Sequence, residues 1–389
     1  MQSSPVIFSI FLIFCGAAIF STLALYTRQS LLVAYMLLGV LLGPWGLGFM
    51  SDSAVISQTG EIGIIFLLFL LGLNLHPQSL LQMFKKVSWV ALISSLIFAG
   101  IGYGVSQFFG LTEMESFVVG AAMMFSSTII GLKLLPTTIL HHQHTGEVMI
   151  GVLLMQDLIA IVILLILQTA SYGSLDAMQI IKLVLAFPVL LLVAYVMEKF
   201  VLIKLFTKFD QVHEYIFLLS IGWCLLMAEL AAFFGLSAEI GAFLGGVAIA
   251  ASPIALYISE SLKPLRDFFL VLFFFTIGAS FDLDYLPQVI IPAVILAALM
   301  LTVKPVVFFG LLRKSKESNA ISWEVGVRLA QISEFSLLIA YLAASTKLIG
   351  DKANYLIQAT TILTFVASSY IVVFKYPTPL AFSDKMRRD

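Results

Sequence analysis

Residues 151–167 read GVLLMQDLIAIVILLIL, an apolar run interrupted only by the adjacent Gln156 and Asp157. A run of this kind is typical of a membrane-spanning helix, which needs about 20 mostly apolar residues. An ionised side chain at the centre of such a helix costs about 2.5–3.5 kcal/mol on insertion scales. Because leucine would avoid this cost, the carboxylate of Asp157 indicates a functional role inside the membrane.

The composition of the whole chain agrees with a membrane protein. Of its 389 residues, 61% are hydrophobic and 11% are charged, whereas a soluble protein carries roughly 25% charged residues. The net charge is −1 and there is no long basic run, which argues against a nucleic-acid partner. Cys15 and Cys224 both lie in apolar runs and predict neither a disulfide framework nor a metal site. We therefore predict an all-α polytopic membrane protein whose main partner is the lipid bilayer.

Apolar windows along the chain predict thirteen transmembrane helices. They lie at about 5–26, 31–49, 55–75, 88–109, 115–135, 147–168, 178–200, 213–234, 237–256, 264–281, 287–312, 323–345 and 352–374. With the N-terminus outside, most of the 21 Lys and Arg residues fall in inside loops, as the positive-inside rule requires. This orientation makes residues 375–389 a cytoplasmic tail.

The two halves of the chain share a weak internal repeat. FLLGLNLHPQSL (69–80) aligns with FTIGASFDLDYL (275–286), and the same offset places FSST (125–128) on QISE (331–334). The offset maps spans 1–6 onto spans 8–13 in the opposite sense, which is an inverted repeat typical of transporters.

Spans 5 and 12 carry polar interruptions at matching positions, which predicts two broken, crossing helices next to a binding site near the midplane. The alternative is that these polar side chains simply bond back to their own helices. The interrupting residues are Ser126, Ser127 and Thr128 in span 5, and Gln331, Ser333 and Glu334 in span 12.

Asp157 lies near mid-depth of span 6, where it would face those interruptions. A carboxylate in this position can hold a proton or exchange it for a cation, but it cannot easily hold both, and this competition is the basis of proton/cation exchange. Hard cations take oxygen ligands. We expect Asp157 to bind the ion or proton, with the Gln156 amide and the hydroxyls of Ser126, Ser127 and Thr128 around it. The alternative is a carboxylate satisfied by a neighbouring helix.

Three further charged side chains within predicted spans are candidates for a structural role, namely Lys304, Arg328 and Glu334. Lys304, in span 11, is expected to be the charge partner of Asp157 when no cation is bound; a lysine that snorkels to the interface is the alternative. Glu334 and Arg328 are expected to neutralise the ends of the broken helices, because anionic groups suit helix N-termini and cationic groups suit C-termini.

A histidine cluster, HHQH, follows span 5 in an inside loop. His141, His142 and His144 are expected to be solvated loop residues. A metal site is conceivable, and a pH-sensing role follows from the ordinary titration range of histidine.

Six stretches resemble Kef-type members of the monovalent cation:proton antiporter-2 family. They are GEIGIIFLLFLLGLNLHPQSL (60–80), MMFSSTIIGLKLL (123–135), LLMQDLIAI (153–161), GLSAEIGAFLGGVAIA (235–250), FFFTIGASFD (273–282) and RLAQISEFSLLIA (328–340). The Gln-Asp pair followed by Ala-Ile is the most specific element, and the Ser-Glu-Phe of span 12 is the second.

The resemblance implies an NhaA-like fold that forms a homodimer and moves its core by an elevator-like mechanism. Residues 1–374 would be the transport domain, and Asp157, Gln156 and Lys304 match the family's functional positions. The implied parts are a dimerisation scaffold at 1–82 and 213–285, a linker helix at 178–208, and an ion-binding core at 88–168 and 287–374. Kef-type chains usually continue into a cytoplasmic nucleotide-binding domain. The sequence contains no such domain, so we expect either that this relative lacks it or that a regulatory domain or subunit is missing from this shortened chain.

The function expected from these residues is potassium/proton antiport in a bacterial cell inner membrane, without catalysis and with no cofactor besides the transported ions. Three alternatives stay open: a sodium/proton antiporter, a gated potassium channel, and a sensor that kept the fold but lost transport.

Overall fold

The computed structural model describes residues 5–50, 53–74, 77–133, 144–170, 177–209, 211–234, 236, 238–250, 252 and 254–377. Within these ranges the regular structure is helical and contains no strand, so the predicted all-α class is confirmed. In the first half of the chain the helices are α1 (Pro5–Tyr26), α2 (Leu31–Leu42), α3 (Ser53–Asn74), α4 (Pro77–Phe108), α5 (Glu113–Met123), α6 (Thr128–Lys133), α7 (His144–Ala170) and α8 (Ala177–Met197). In the second half they are α9 (Ile203–Lys208), α10 (His213–Phe233), α11 (Ala238–Ala250), α12 (Ala255–Ala279), α13 (Leu286–Lys314), α14 (Asn319–Arg328), α15 (Glu334–Ser345) and α16 (Asp351–Lys375).

Among the described residues, 6 helical stretches are long and apolar enough to cross a membrane: Ile7–Tyr26, Val87–Phe108, His144–Leu164, His213–Phe233, Leu283–Lys314 and Asp351–Lys375. Three apolar helices are shorter, at Leu31–Leu42, Ala238–Ala250 and Glu334–Ser345. Short apolar segments do not reach across the ~30 Å hydrocarbon layer by themselves. The exact number of thirteen spans stays a prediction.

The helices group into two compact units. The first unit comprises residues 1–13, 50–81 and 165–276, and the second comprises 14–49, 82–164 and 277–389. Every site residue predicted from the sequence belongs to the second unit. The predicted division into scaffold, linker helix and core has different boundaries and stays a prediction.

Close helix packing in the first unit depends on glycines. The backbones of α3 and α11 approach each other at Gly72 and Gly246: a Cβ on Gly246 would overlap the carbonyl oxygen of Phe69 and lie 2.8 Å from the backbone nitrogen of Leu73. Small residues at such contacts are a general feature of membrane helices, where packing rather than hydrophobic burial drives association.

In the second unit, α13, α14 and α16 pack on one another, and α15 packs against α5 and α16. One end of this group is tied by Glu115 at the start of α5. Its side chain completes a capping box with Thr112 and also accepts the backbone N–H of Gly350 at 3.1 Å, just before α16. A single carboxylate thus joins the helix starts of α5 and α16.

We expect Gly246→Ala to lower the melting temperature in detergent, because α3 and α11 must separate to admit the methyl group, at a cost of about 1–3 kcal/mol. Gly222→Ala in α10 is the matched control, since a Cβ there meets nothing within 4 Å. Thermal unfolding followed by tryptophan fluorescence measures both. Equal melting temperatures for the two variants would contradict the proposed close contact.

Candidate functional site

The first feature of the site is a non-helical segment at residues 124–127, here named the first linker, which separates α5 from α6. Gln156 of α7 holds this segment at two points. Its Oε1 accepts the backbone N–H of Ser126 at 3.0 Å, and its Nε2 donates to the carbonyl of Met124 at 3.2 Å. The Gln156 side-chain amide, which was predicted to be an ion ligand, is therefore already hydrogen-bonded to backbone groups of the first linker.

A second non-helical segment at residues 329–333, here named the second linker, separates α14 from α15. Its backbone is supported from α16, where Thr364 Oγ1 accepts the N–H of Ile332 at 3.2 Å. Ser333 ends the segment as the N-cap of α15, and its Oγ accepts the N–H of Phe335 at 3.1 Å. Four of the predicted interrupting residues, Ser126, Ser127, Gln331 and Ser333, lie in these two linkers. That spans 5 and 12 are broken, crossing helices stays a prediction.

The two linkers are bonded to each other. Ser126 Oγ donates to the carbonyl of Leu329 at 2.8 Å, and Gln331 Nε2 donates to the carbonyl of Ser127 at 3.4 Å. Next to the linkers, Ser336 of α15 donates to the carbonyl of Ala122 in α5. Each linker therefore provides a side-chain donor for a backbone carbonyl of the other linker.

Lys304 of α13 joins both linkers through a single ammonium group. Its Nζ donates to the carbonyl of Phe125 at 2.6 Å and to that of Gln331 at 3.3 Å, and it lies 5.1 Å from the ring centroid of Phe98. The side chain is fully buried, so the snorkelling alternative is wrong. Among the described residues no ion pair joins Lys304 to Asp157, and the ammonium contacts the two linkers instead.

Asp157 lies beside Gln156 on α7 and is 1% exposed. Its Oδ2 accepts a hydrogen bond from Thr128 Oγ1 at 3.4 Å, at the start of α6. Its Oδ1 is buried and has no hydrogen-bond partner among the described residues. A buried carboxylate oxygen without a donor is the group to which a proton or a cation can bind.

Glu334 and Arg328 flank the second linker at its two ends. Glu334 is the first residue of α15 and Arg328 is the last residue of α14, the positions that the helix dipole favours for an acid and a base. Arg328 is 1% exposed, donates to Glu324 Oε1 at 2.9 Å and to the carbonyl of Pro377 at 3.0 Å, and stacks on the ring of Tyr376. Both side chains are buried at the helix ends that adjoin the linker.

Of the predicted histidine cluster, His141 and His142 lie outside the described residues. His144 begins α7 and contacts Glu147 Oε2 through Nδ1 and both carboxylate oxygens of Glu317 through Nε2, all at 3.0 Å. Each ring nitrogen of His144 thus faces a carboxylate, which ties the start of α7 to Glu317. In the part of the chain that the structure describes, no group of three or more His, Cys, Asp or Glu side chains is placed to hold a metal ion.

Sequence reasoning missed Thr364 and Ser368 of α16, which contact the second linker. Ser368 Oγ donates to Gln331 Oε1 at 2.9 Å. The only signal was a polar pair one helical turn apart in an apolar helix, and most hydroxyl side chains in such helices bond to their own backbone.

Membrane-length apolar helices, buried ionisable side chains between them, and two linkers that meet inside the protein define an integral membrane protein of the transporter class. The chain belongs to the sodium/hydrogen exchanger family, whose transmembrane model matches residues 9–374. The predicted resemblance to cation:proton antiporters is thereby confirmed.

Individual relatives agree with this membership. K(+) efflux antiporter 5 of Arabidopsis thaliana is 30% identical over 371 residues, which cover 91% of this chain and 63% of that protein. The iron transporter MagA of Paramagnetospirillum magneticum is 26% identical over 344 residues, covering 88% and 79% of the two chains. This chain therefore spans less than two thirds of the plant relative.

The fold is similar to that of a solved antiporter. The sodium proton antiporter MjNhaP1 of Methanocaldococcus jannaschii superposes with a TM-score of 0.70 at 17% identity, covering 99% of each chain. At this identity the likeness concerns the fold alone.

We expect Gln156→Leu to destabilise the protein, because it leaves the Ser126 N–H and the Met124 carbonyl unsatisfied, at about 1–3 kcal/mol for each group. Gln358→Leu in α16 is the matched control. Gln358 is 4% exposed, but within the described part of the chain its side chain makes one hydrogen bond, from Nε2 to Asn354 Oδ1, and its Oε1 has no partner. Thermal unfolding in detergent should show the larger loss for Gln156→Leu, and an equal loss would remove the support for its bracing role.

Proposed function

We propose that this protein is a monovalent cation/proton antiporter in which Asp157 binds a proton and an alkali cation in turn. The observation that carries the proposal is the buried Asp157 carboxylate, whose Oδ1 has no partner in the described ranges and whose Oδ2 contacts Thr128 at the start of α6. Membership of the sodium/hydrogen exchanger family supports the same activity.

The transport mechanism that we propose follows from the two linkers. We take α5 and α6 to be the halves of one broken helix, and α14 and α15 to be the halves of the other, so that the linkers cross beside Asp157 as in an NhaA-like inverted repeat. Non-helical backbone at membrane depth is tolerated only where protein or a water-filled cavity surrounds it. The core would then move past a dimeric scaffold in an elevator-like cycle and present Asp157 to each side.

For the transported ion we propose potassium, with sodium as the alternative. The adjacent Gln156 and Asp157 match the Kef-type pattern, and three similar plant proteins are named K(+) efflux antiporters. The solved structure with a similar fold is named a sodium proton antiporter. Relatives named for potassium and a fold neighbour named for sodium thus leave the choice of ion to the residues of the site. Oxygen ligands alone suit both.

We further propose a bacterial cell inner membrane location, with the N-terminus outside and the C-terminal tail cytoplasmic. The excess of Lys and Arg in the loops assigned to the inside supports this orientation. A homodimer, and a cytoplasmic regulatory domain or subunit, belong to the same proposal.

We expect Asp157→Asn to abolish cation-driven proton flux in proteoliposomes with an imposed pH gradient, because a neutral amide can neither release a proton nor neutralise a cation. Asp267→Asn is the control, since that acid is exposed and pairs with the adjacent Arg266. Flux retained by Asp157→Asn would refute the antiport proposal. Cation flux that ignores the pH gradient would indicate a channel, and cation binding without flux would indicate a sensor.

We expect Thr128→Val to raise the cation concentration for half-maximal flux about fivefold, the effect of losing one hydroxyl contact of roughly 1 kcal/mol. Thr128→Ser keeps the hydroxyl and should behave like the wild type. Flux titrations with potassium and sodium measure both variants. A Thr128→Val protein with unchanged half-saturation would show that Thr128 does not contribute to the cation site.

A further inference from the structure

The buried face of α16 carries a run of hydroxyl side chains, and they do not all bond in the same way. Thr360 and Thr361 donate to the carbonyls of Leu356 and Ile357 of their own helix, at 2.7 and 2.8 Å. This is the usual arrangement for such residues in membrane helices. Ser368 is different, because its hydroxyl donates to the side chain of Gln331 in the second linker.

Ser368 determines which way the Gln331 amide faces. An amide has an acceptor oxygen on one side and a donor nitrogen on the other. With Oε1 held by Ser368 at 2.9 Å, Nε2 is directed at the carbonyl of Ser127 in the first linker, 3.4 Å away. A reversed amide would place two acceptor oxygens against each other at this contact.

The contact with Ser127 lies next to the cation site. Ser127 immediately precedes Thr128, whose hydroxyl contacts Asp157 Oδ2. Ser127 Oγ also accepts the N–H of Ile130 in α6. The position of Ser127 therefore sets where α6 begins and where the Thr128 hydroxyl points.

Thr364, one turn before Ser368 on α16, fixes the second linker from the same side. It is fully buried, accepts the N–H of Ile332 at 3.2 Å and donates to the carbonyl of Thr361 at 2.9 Å. Thr364 holds the backbone of the second linker while Ser368 orients its Gln331 side chain. Two hydroxyls on one helix face thus act on adjacent residues of the linker.

We propose that Ser368 is a positioning residue for the Asp157 site and that it sets the affinity for the cation, and the preference between potassium and sodium, through Gln331 and Ser127. Potassium and sodium differ mainly in how closely oxygen ligands approach them, so a ligand set that can relax loses its preference. The inference rests on the proposed antiport function. It assigns α16 a role that acts through the second linker.

The matched control is the neighbouring Ser369. Both serines are 1% exposed and lie on the same helix, but the Ser369 hydroxyl has no hydrogen-bond partner among the described residues. Ser368→Ala and Ser369→Ala therefore remove the same atom from equally buried sites. Only the first removes a bond to the second linker.

The test measures proton flux in proteoliposomes at a fixed pH gradient while potassium or sodium is varied. We expect Ser368→Ala to raise the half-saturating cation concentration about fivefold, the size expected for one lost hydrogen bond, and to change the ratio of the potassium and sodium values. The maximal rate should stay within about twofold of wild type, and Ser369→Ala should change neither quantity. Ser368→Thr keeps the donor and should restore the wild-type values.

Equal half-saturation for Ser368→Ala and Ser369→Ala overturns the proposal, and so does a fall in maximal rate alone. If Ser368→Ala does not yield folded protein, Ser368→Cys keeps a side chain of similar size with a weaker donor, and its half-saturation must still rise. The parallel Asp157→Asn measurement distinguishes a failure of the Ser368 positioning role from a failure of the antiport function. Loss of flux in Asp157→Asn with an unchanged Ser368→Ala refutes only the positioning role, whereas retained flux in Asp157→Asn refutes the antiport function itself.

Discussion

The second unit of this protein depends on hydrogen bonds to the backbone N–H and carbonyl groups of its two non-helical linkers. Inside a membrane protein an unpaired amide or carbonyl is strongly unfavourable, so a chain that leaves the helical conformation must find its partners in other elements. Lys304 meets this need for both linkers at once, since its ammonium donates to the carbonyls of Phe125 and Gln331. Gln156, Ser126 and Thr364 supply most of the other bonds.

Because these partners are occupied with the linkers, Asp157 remains distinct from its surroundings. The neighbouring Gln156 is engaged at both ends of its amide, and the nearby lysine is engaged with carbonyls. Among the residues that the structure describes, the aspartate accepts one hydrogen bond, from Thr128, and its other carboxylate oxygen has no donor. The residues that brace the linkers and the Asp157 carboxylate are thus separate groups that lie side by side.

The sequence was sufficient for the helical class and for the family, because each depends on composition or on local pattern. A carboxylate in the run around Asp157, and polar residues at 126–128 and 331–334, stand out against apolar neighbours. The hydrogen-bond partners of Lys304 could not be predicted from composition or local pattern. Residue type and depth suggested an ion pair with Asp157, whereas the choice between a carboxylate and two carbonyls depends on how α13 approaches the linkers. Ser368 was missed for the same reason, since its role depends on a contact between elements far apart in the chain.

Arg328 has a practical consequence for anyone who attaches a tag or reporter to this protein. The same guanidinium that ends α14, directly before the second linker, also holds the carbonyl of Pro377 and the ring of Tyr376. A fusion joined immediately after Pro377 would lie directly beside these contacts and would be expected to strain the end of α14 next to the second linker. A flexible spacer of several glycines and serines after the junction would isolate these contacts from the attached cargo.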